Sequence, residues 1–249
     1  MFDRLTSRCR RTGLHVVTTR RLWVISARLA DLAQHGAIGG DDEALHWQGW
    51  TPEDVGPLPD GPAVAPPSDH TDVVTPLLDL LLFTAVERRT RIAVASVNIS
   101  RNPEGHHLVG GNVRAGFRNR GYGREALTAA CELAHRHFGI TTLYAGCEVS
   151  NVASRGWLAA CGFTTDGQAG ALTLPNGREI ESLWWWRTDR RARVRCPHLH
   201  TTRLPADSGL PGPSPPPAAS PPSVHRPRAP RPRLVDHEVV VATHRRTRP

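Results

Sequence analysis

The 249-residue chain contains no lysine: all 31 of its Lys+Arg residues are arginine. A codon preference for arginine accounts for this without a functional role. The absence does exclude a Walker phosphate loop, which needs Gly-Lys-Ser/Thr. Cysteine is sparse too, with Cys9, Cys131, Cys147, Cys161 and Cys196. The number is odd and no C-x-x-C pair occurs, so the spacing implies neither a disulfide framework nor a zinc site. Cys131, Cys147 and Cys161 lie in apolar surroundings and read as small buried hydrophobes, the pattern of a reducing compartment. No run of 18 apolar residues exists, so no spanning helix is expected. The Arg-rich start leads into a short apolar stretch broken by Arg28 and Asp31, which does not read as a signal peptide. A cytoplasmic protein without a membrane partner or a metal is the expectation.

Charge and proline are unevenly placed. Residues 187–249 carry 13 Arg against 4 Asp+Glu, a net of +9, and residues 1–186 carry 18 against 19, a net of −1. The overall +8 therefore belongs to the tail. From Thr188 onward the chain holds 13 of the 22 prolines and no Trp, Tyr or Phe. Such a segment cannot bury enough apolar area to offset its ordering entropy, so 188–249 is expected to be disordered with polyproline II character. It lacks aromatics for base stacking, so its arginines predict at most weak, salt-sensitive nucleic-acid binding. Residues 1–19 read as a basic, poorly ordered lead.

Between these ends the pattern is that of a folded domain. Arg20–Ala27 suits a strand, and 28–34 and 41–47 suit short helices. Pro52–Pro67 reads as a loop. Leu80–Glu87 and Ile92–Ser100 read as a hairpin, and Leu108–Arg114 as the next strand. After it comes Arg118-Asn119-Arg120-Gly121-Tyr122-Gly123-Arg124. Leu127, Ala130, Cys131, Ala134 and Phe138 then repeat at helical spacing, with a glycine stop at Gly139. Strand, glycine loop, helix is a geometry that binds phosphate, because unpaired N–H groups sit at the positive end of the helix dipole. The loop alone also fits a plain tight turn. A Rossmann fingerprint does not fit: its third glycine would fall at Ala126, which some such loops accept, but no acidic-ended strand follows at the expected distance. Thr142–Glu148 reads as another strand. Asn151 is a good N-cap whose side chain can reach the Ser154 N–H. Ala171–Leu174 and Glu179–Arg187 bracket Asn176-Gly177, a hairpin turn signal.

The linked segments RNRGYGREAL and NVASRGWLAACGF resemble the two signatures of the GNAT superfamily of acetyl-CoA-dependent N-acetyltransferases, most closely its ribosomal-protein-alanine branch. The strong match spans about Leu108 to Phe163, and a weaker one Arg20 to Arg187. The resemblance implies an α/β (α+β) fold over residues 20–187. Its mixed, twisted central sheet would have about seven strands, with helices on both faces. Leu108–Arg114 and Thr142–Glu148 would splay apart to admit the pantetheine arm.

It implies that acetyl-CoA, as co-substrate, and an amine acceptor are the partners. The implied cofactor-binding residues are Val113, Arg118, Asn119, Arg120, Gly121, Tyr122, Gly123, Arg124 and Asn151. Val113 would pair with pantetheine amides, and Asn151 would contact the arm near the thiol.

The catalytic pair departs from the family pattern. The family's usual tyrosine falls at Leu158 here. Ser154 is the alternative donor, or else a plain first-turn serine. The fourth strand lacks the usual Glu, reading His106-His107-Leu108-Val109-Gly110-Gly111. Glu148 is the substitute base, or an ordinary strand-end charge. His106 and His107 are further candidates. His135 and His137 have the wrong spacing for one-face metal ligation and read as surface residues. These departures keep a non-catalytic acyl-CoA-binding module open as an alternative. Residues 28–75 and the C-terminal hairpin, with Trp47, Trp50 and Trp184–Trp186, would shape the acceptor pocket.

Overall fold

The computed structural model describes residues 15–26, 38–55, 80–102 and 104–196. The elements run β1 (Val16–Thr18), β2 (Leu22–Ser26), α1 (Asp42–Gln48), α2 (Pro52–Val55), β3 (Leu80–Glu87) and β4 (Ala93–Arg101). They continue with β5 (His107–Val113), a 3₁₀ turn (Ala115–Phe117), α3 (Tyr122–Arg136), β6 (Thr142–Glu148), α4 (Val152–Ala160), β7 (Thr164–Thr173) and β8 (Glu179–Thr188). One eight-stranded sheet has the order β1-β2-β3-β4-β5-β6-β8-β7. All its pairs are antiparallel except β5–β6, which is parallel. A parallel pair needs a crossover, and α3 supplies it.

The apolar spacing of α3 explains its seat. Ala126, Leu127, Ala130, Cys131, Leu133 and Ala134 are buried against Leu22, Val24, Phe83, Val97 and Leu143. Ile25, Val86 and Ala93 point the other way and bury Ile38 on the opposite face. Burial drives the Cys131 thiol up to about 12, in keeping with an inert core residue.

Two boundaries move. Residues 15–19 are part of the sheet, with His15 and Val17 buried, so the ordered chain starts ahead of the expected Arg20. It also runs on past Arg187: Val194 bridges Phe138, and Cys196 is 1% exposed. Residues 1–14 and 197–249, and the helix expected over 28–34, lie outside the described residues. His135 and His137 are not surface residues, since both are 0% exposed. The helix ends at Arg136 with His137 as its cap, and residues 193–196 fold back across that end: Arg193 and Arg195 N–H donate to the His135 and His137 carbonyls. Burial lowers the His135 pKa, and its Nδ1 pairs with the Ile140 carbonyl at 2.6 Å.

Candidate active site

The parallel pair is where the sheet opens. β5 and β6 match at His107↔Leu143 and Leu108↔Tyr144, and beyond those pairs they are out of hydrogen-bonding register. Both strands continue nonetheless, to Val113 and Glu148. The Arg114 N–H donates to the Val94 carbonyl, so even-numbered residues of β5 face β4. The main-chain groups of Val109 and Val113 therefore face the gap.

At the open end sits the loop into α3. Asn119 (φ 58°) and Gly121 (φ 76°) both adopt left-handed backbone, a conformation that turns successive N–H groups to one side. Asn tolerates it, and Gly does so without strain. The first α3 bond runs from the Glu125 N–H to the Gly121 carbonyl. Among the described residues, no backbone carbonyl accepts from the N–H groups of Asn119 to Arg124. They form the free positive end of a 15-residue helix. Gly123 serves packing rather than open approach: a Cβ there would stand 2.7 Å from Val113 Cγ2 and 3.3 Å from the Trp157 ring. Its absence lets the helix start lie directly on β5 and α4.

The loop arginines divide by role. Arg120 and Arg124 are exposed. Arg118 is a clamp: Nε donates to the Val113 carbonyl at 3.0 Å, one terminal nitrogen to Glu43 at 2.7 Å, and the other to both Asp41 oxygens at 2.9 and 2.7 Å. Asp41 in turn caps α1 through the Ala44 N–H. Arg118 thus ties α1 to the end of β5. Arg118→Ala is expected to cost about 1–2 kcal/mol after allowance for partial exposure, a fall of about 2–8 °C in Tm by calorimetry.

Arg21 had no signal in the sequence. It donates to Glu125 Oε2 (2.7 Å) and the Arg120 carbonyl (2.8 Å) and covers the Tyr122 ring at 4.2 Å. Glu125 also accepts from Thr19 Oγ1 and the Arg21 N–H. Tyr122 is buried, and its hydroxyl donates to Glu87. That bond raises the tyrosine pKa, while hydrogen bonds from Thr90 and Tyr122 lower that of Glu87. Tyr122 and Arg118 are thus anchors of the loop.

A second group lies at the end of β6. Glu148 accepts from Ser150 Oγ at 2.6 Å and from Arg178 at 2.8 Å. The Ser150 hydroxyl, and after it Arg178, hold its pKa below the ordinary carboxylate value. Arg178 also donates to the His46 carbonyl, which joins the β7–β8 turn to α1. From the other side Asn112 donates to Gln48. α1 is therefore fastened to both β5 and the C-terminal hairpin. Asn151 is buried, and its Oδ1 accepts from the Ser154 N–H at 2.9 Å, as the spacing suggested. The cap uses the Ser154 backbone, and among the described residues no hydrogen bond engages its half-buried hydroxyl. Leu158 is core. His106 and His107 sit at the paired end of β5–β6, away from the opening.

The acetyltransferase (GNAT) domain model matches residues 21–164, more than half of the chain. The chain belongs to this acetyltransferase family. Its fold agrees with solved members at low identity. The ribosomal-protein-S5-alanine acetyltransferase of Vibrio fischeri superposes with TM-score 0.52 at 15% identity, covering 72% of this chain and 98% of its own. The ribosomal L7/L12 α-N-protein acetyltransferase RimL, solved with coenzyme A, gives 0.52 at 15% over 71% and 99%. Spermidine N-acetyltransferase of Vibrio cholerae, with coenzyme A and spermine, gives 0.51 at 12% over 68% and 96%. No curated protein sequence matches. Family and fold are those of an N-acetyltransferase. Among the described residues, no helix is long and apolar enough to cross a membrane.

Proposed function

We propose that this GNAT protein transfers an acetyl group from acetyl-CoA to a primary amine by direct attack in a ternary complex. The observation that carries it is the pairing of an opened β5–β6 edge with the unsatisfied N–H groups of Asn119 to Arg124 at the same end of the sheet. A diphosphate held by those groups and by Arg120 and Arg124 sends its pantetheine arm along the main-chain groups of Val109 and Val113. Asn151 meets the arm from α4. Arg118 and Tyr122 hold the loop in shape for this.

The neutral amine attacks the thioester carbon, the C–S bond breaks, and the amine's extra proton leaves as the thiolate gains one. Ser154 relays that proton, taking one from the new N–H as it gives its own to sulfur. A carboxylate held charged by Ser150 and Arg178 is a poor proton store. We therefore assign Glu148 to orienting the amine through its remaining lone pairs, and the amine is deprotonated by solvent.

The test is release of free CoA thiol by the full chain with acetyl-CoA and a panel of free-N-terminal peptides and polyamines. The rate should rise with pH toward the amine's own pKa, about 7.7–8.0 for an α-amine and about 10.4 for an alkylamine. No limb above the usual carboxylate range should come from Glu148, because its pKa is lowered in the folded state. Binding of acetyl-CoA without turnover of any amine would leave the acyl-CoA-binding module instead.

A further inference from the structure

We propose a structural zinc site, formed by His15, His137 and Cys196, at the opposite end of α3 from the phosphate-binding loop. One ligand atom of each lies within 4.8 Å of the others, and all three residues are buried. Cys196 Sγ stands 3.4 Å from His15 Nε2, and the two imidazole centroids are 5.1 Å apart at 65°. Around a tetrahedral zinc with Zn–S of about 2.3 Å and Zn–N of about 2.0–2.1 Å, donor atoms stand about 3.3–3.6 Å apart. The observed spread needs only small side-chain adjustments.

A second observation points to a ligand. His137 is 0% exposed, and among the described residues neither ring nitrogen has a hydrogen-bond partner. Burying such a group without a partner is costly, and a metal bond to one nitrogen would answer it. A ring packed only for its apolar surface, between His15 and Phe138, is the competing explanation.

The main chain holds the three ligands in place beforehand. His15 exchanges two bonds with Ser26, through its N–H to Oγ (3.1 Å) and its carbonyl (2.9 Å). The His137 N–H closes the end of α3 on the Leu133 carbonyl at 2.9 Å. The His137 carbonyl accepts from the N–H groups of Arg195 (2.7 Å) and Cys196 (3.0 Å). Three chain segments, separated by up to 181 residues, meet here. One thiolate with two imidazoles is a borderline-soft, tetrahedral donor set, which selects zinc over magnesium or calcium. One position of the tetrahedron remains. A water molecule or another donor takes it. The ion would staple the β1 edge and the C-terminal segment to the end of α3.

The test uses the full chain, purified reduced without chelator. Elemental analysis should find about one zinc per chain. After stripping, titration with Co2+ should give a thiolate-to-cobalt charge-transfer band and tetrahedral d–d bands that Zn2+ abolishes. Stripping should lower Tm by several degrees, and Zn2+ should restore it. His137→Ala and Cys196→Ser should each lose the metal. If they fail to fold, the cobalt spectrum of the unaltered chain decides alone. A folded chain that takes up neither ion overturns the site, as does metal retained by both variants.

Discussion

Arg120→Glu/Arg124→Glu should abolish measurable acetyl-CoA binding while leaving the protein folded. Both side chains are exposed, and neither serves the loop's own architecture, which depends on Arg21, Arg118, Tyr122 and Glu125. Exposed substitutions of this kind stay within about 0.5 kcal/mol of wild-type stability. Charged hydrogen bonds to phosphate contribute about 1.5–3 kcal/mol each, less where solvent screens them. Losing two and adding repulsion predicts a rise in Kd on the order of 100-fold or more. Calorimetric titration of acetyl-CoA into both proteins reads the change, with Arg190→Glu/Arg191→Glu, at two other exposed arginines, as the control of equal net charge. Equal loss in that control would mean bulk electrostatics and not a diphosphate site. Unchanged affinity in the double variant would remove the loop from cofactor binding. Gly123→Asp is the poorer test, since its Cβ collides with Val113 and would unseat the helix start whatever the ligand does.

The parts of this site that could be read from the sequence are those encoded by local signals. Thr142–Glu148 forms as expected because its apolar run is bounded by turns. The Asn151–Ser154 cap follows from a three-residue spacing that any helix start imposes. Pro175-Asn176-Gly177 turns where it should, with Gly177 at φ 80°. β7 is longer than its sequence suggests. It starts at Thr164, and the pairing skips between Thr165 and Ala169, so Asp166, Gly167 and Gln168 interrupt a strand rather than precede one.

What could not be read is long-range pairing. Arg118 appeared to be one more loop cation, but its partner Asp41 is 77 residues away. Arg21 reaches Glu125 across 104 residues, and Arg178 reaches His46 across 132. An arginine's sequence neighbours do not report whether it meets a carboxylate or a ligand. The same holds for His137. Its spacing from His135 rules out ligation from one helix face, but the meeting with His15 and Cys196 is made by the fold.

Ser154→Ala should lower kcat by about 10²-fold or more and leave the KM for acetyl-CoA and the stability almost unchanged. The general acid–base contribution of a positioned group is about 10²–10⁴-fold. The helix cap does not contribute to this loss, because Asn151 accepts from the Ser154 backbone N–H, which alanine keeps. A serine present only for helix structure would therefore show no change in kcat. The relay also predicts selectivity by leaving group. A thioester whose thiol has a low pKa departs without a proton, so the variant should recover most of its rate with an activated acyl thioester. Glu148→Gln should behave differently. It removes the charge that orients the amine and releases Arg178, so the KM for the amine should rise while the KM for acetyl-CoA stays. If Glu148→Gln instead lowered kcat alone and introduced a new acid limb in the pH–rate profile, the carboxylate would be the proton acceptor, and the ion pair with Arg178 would have to open during turnover.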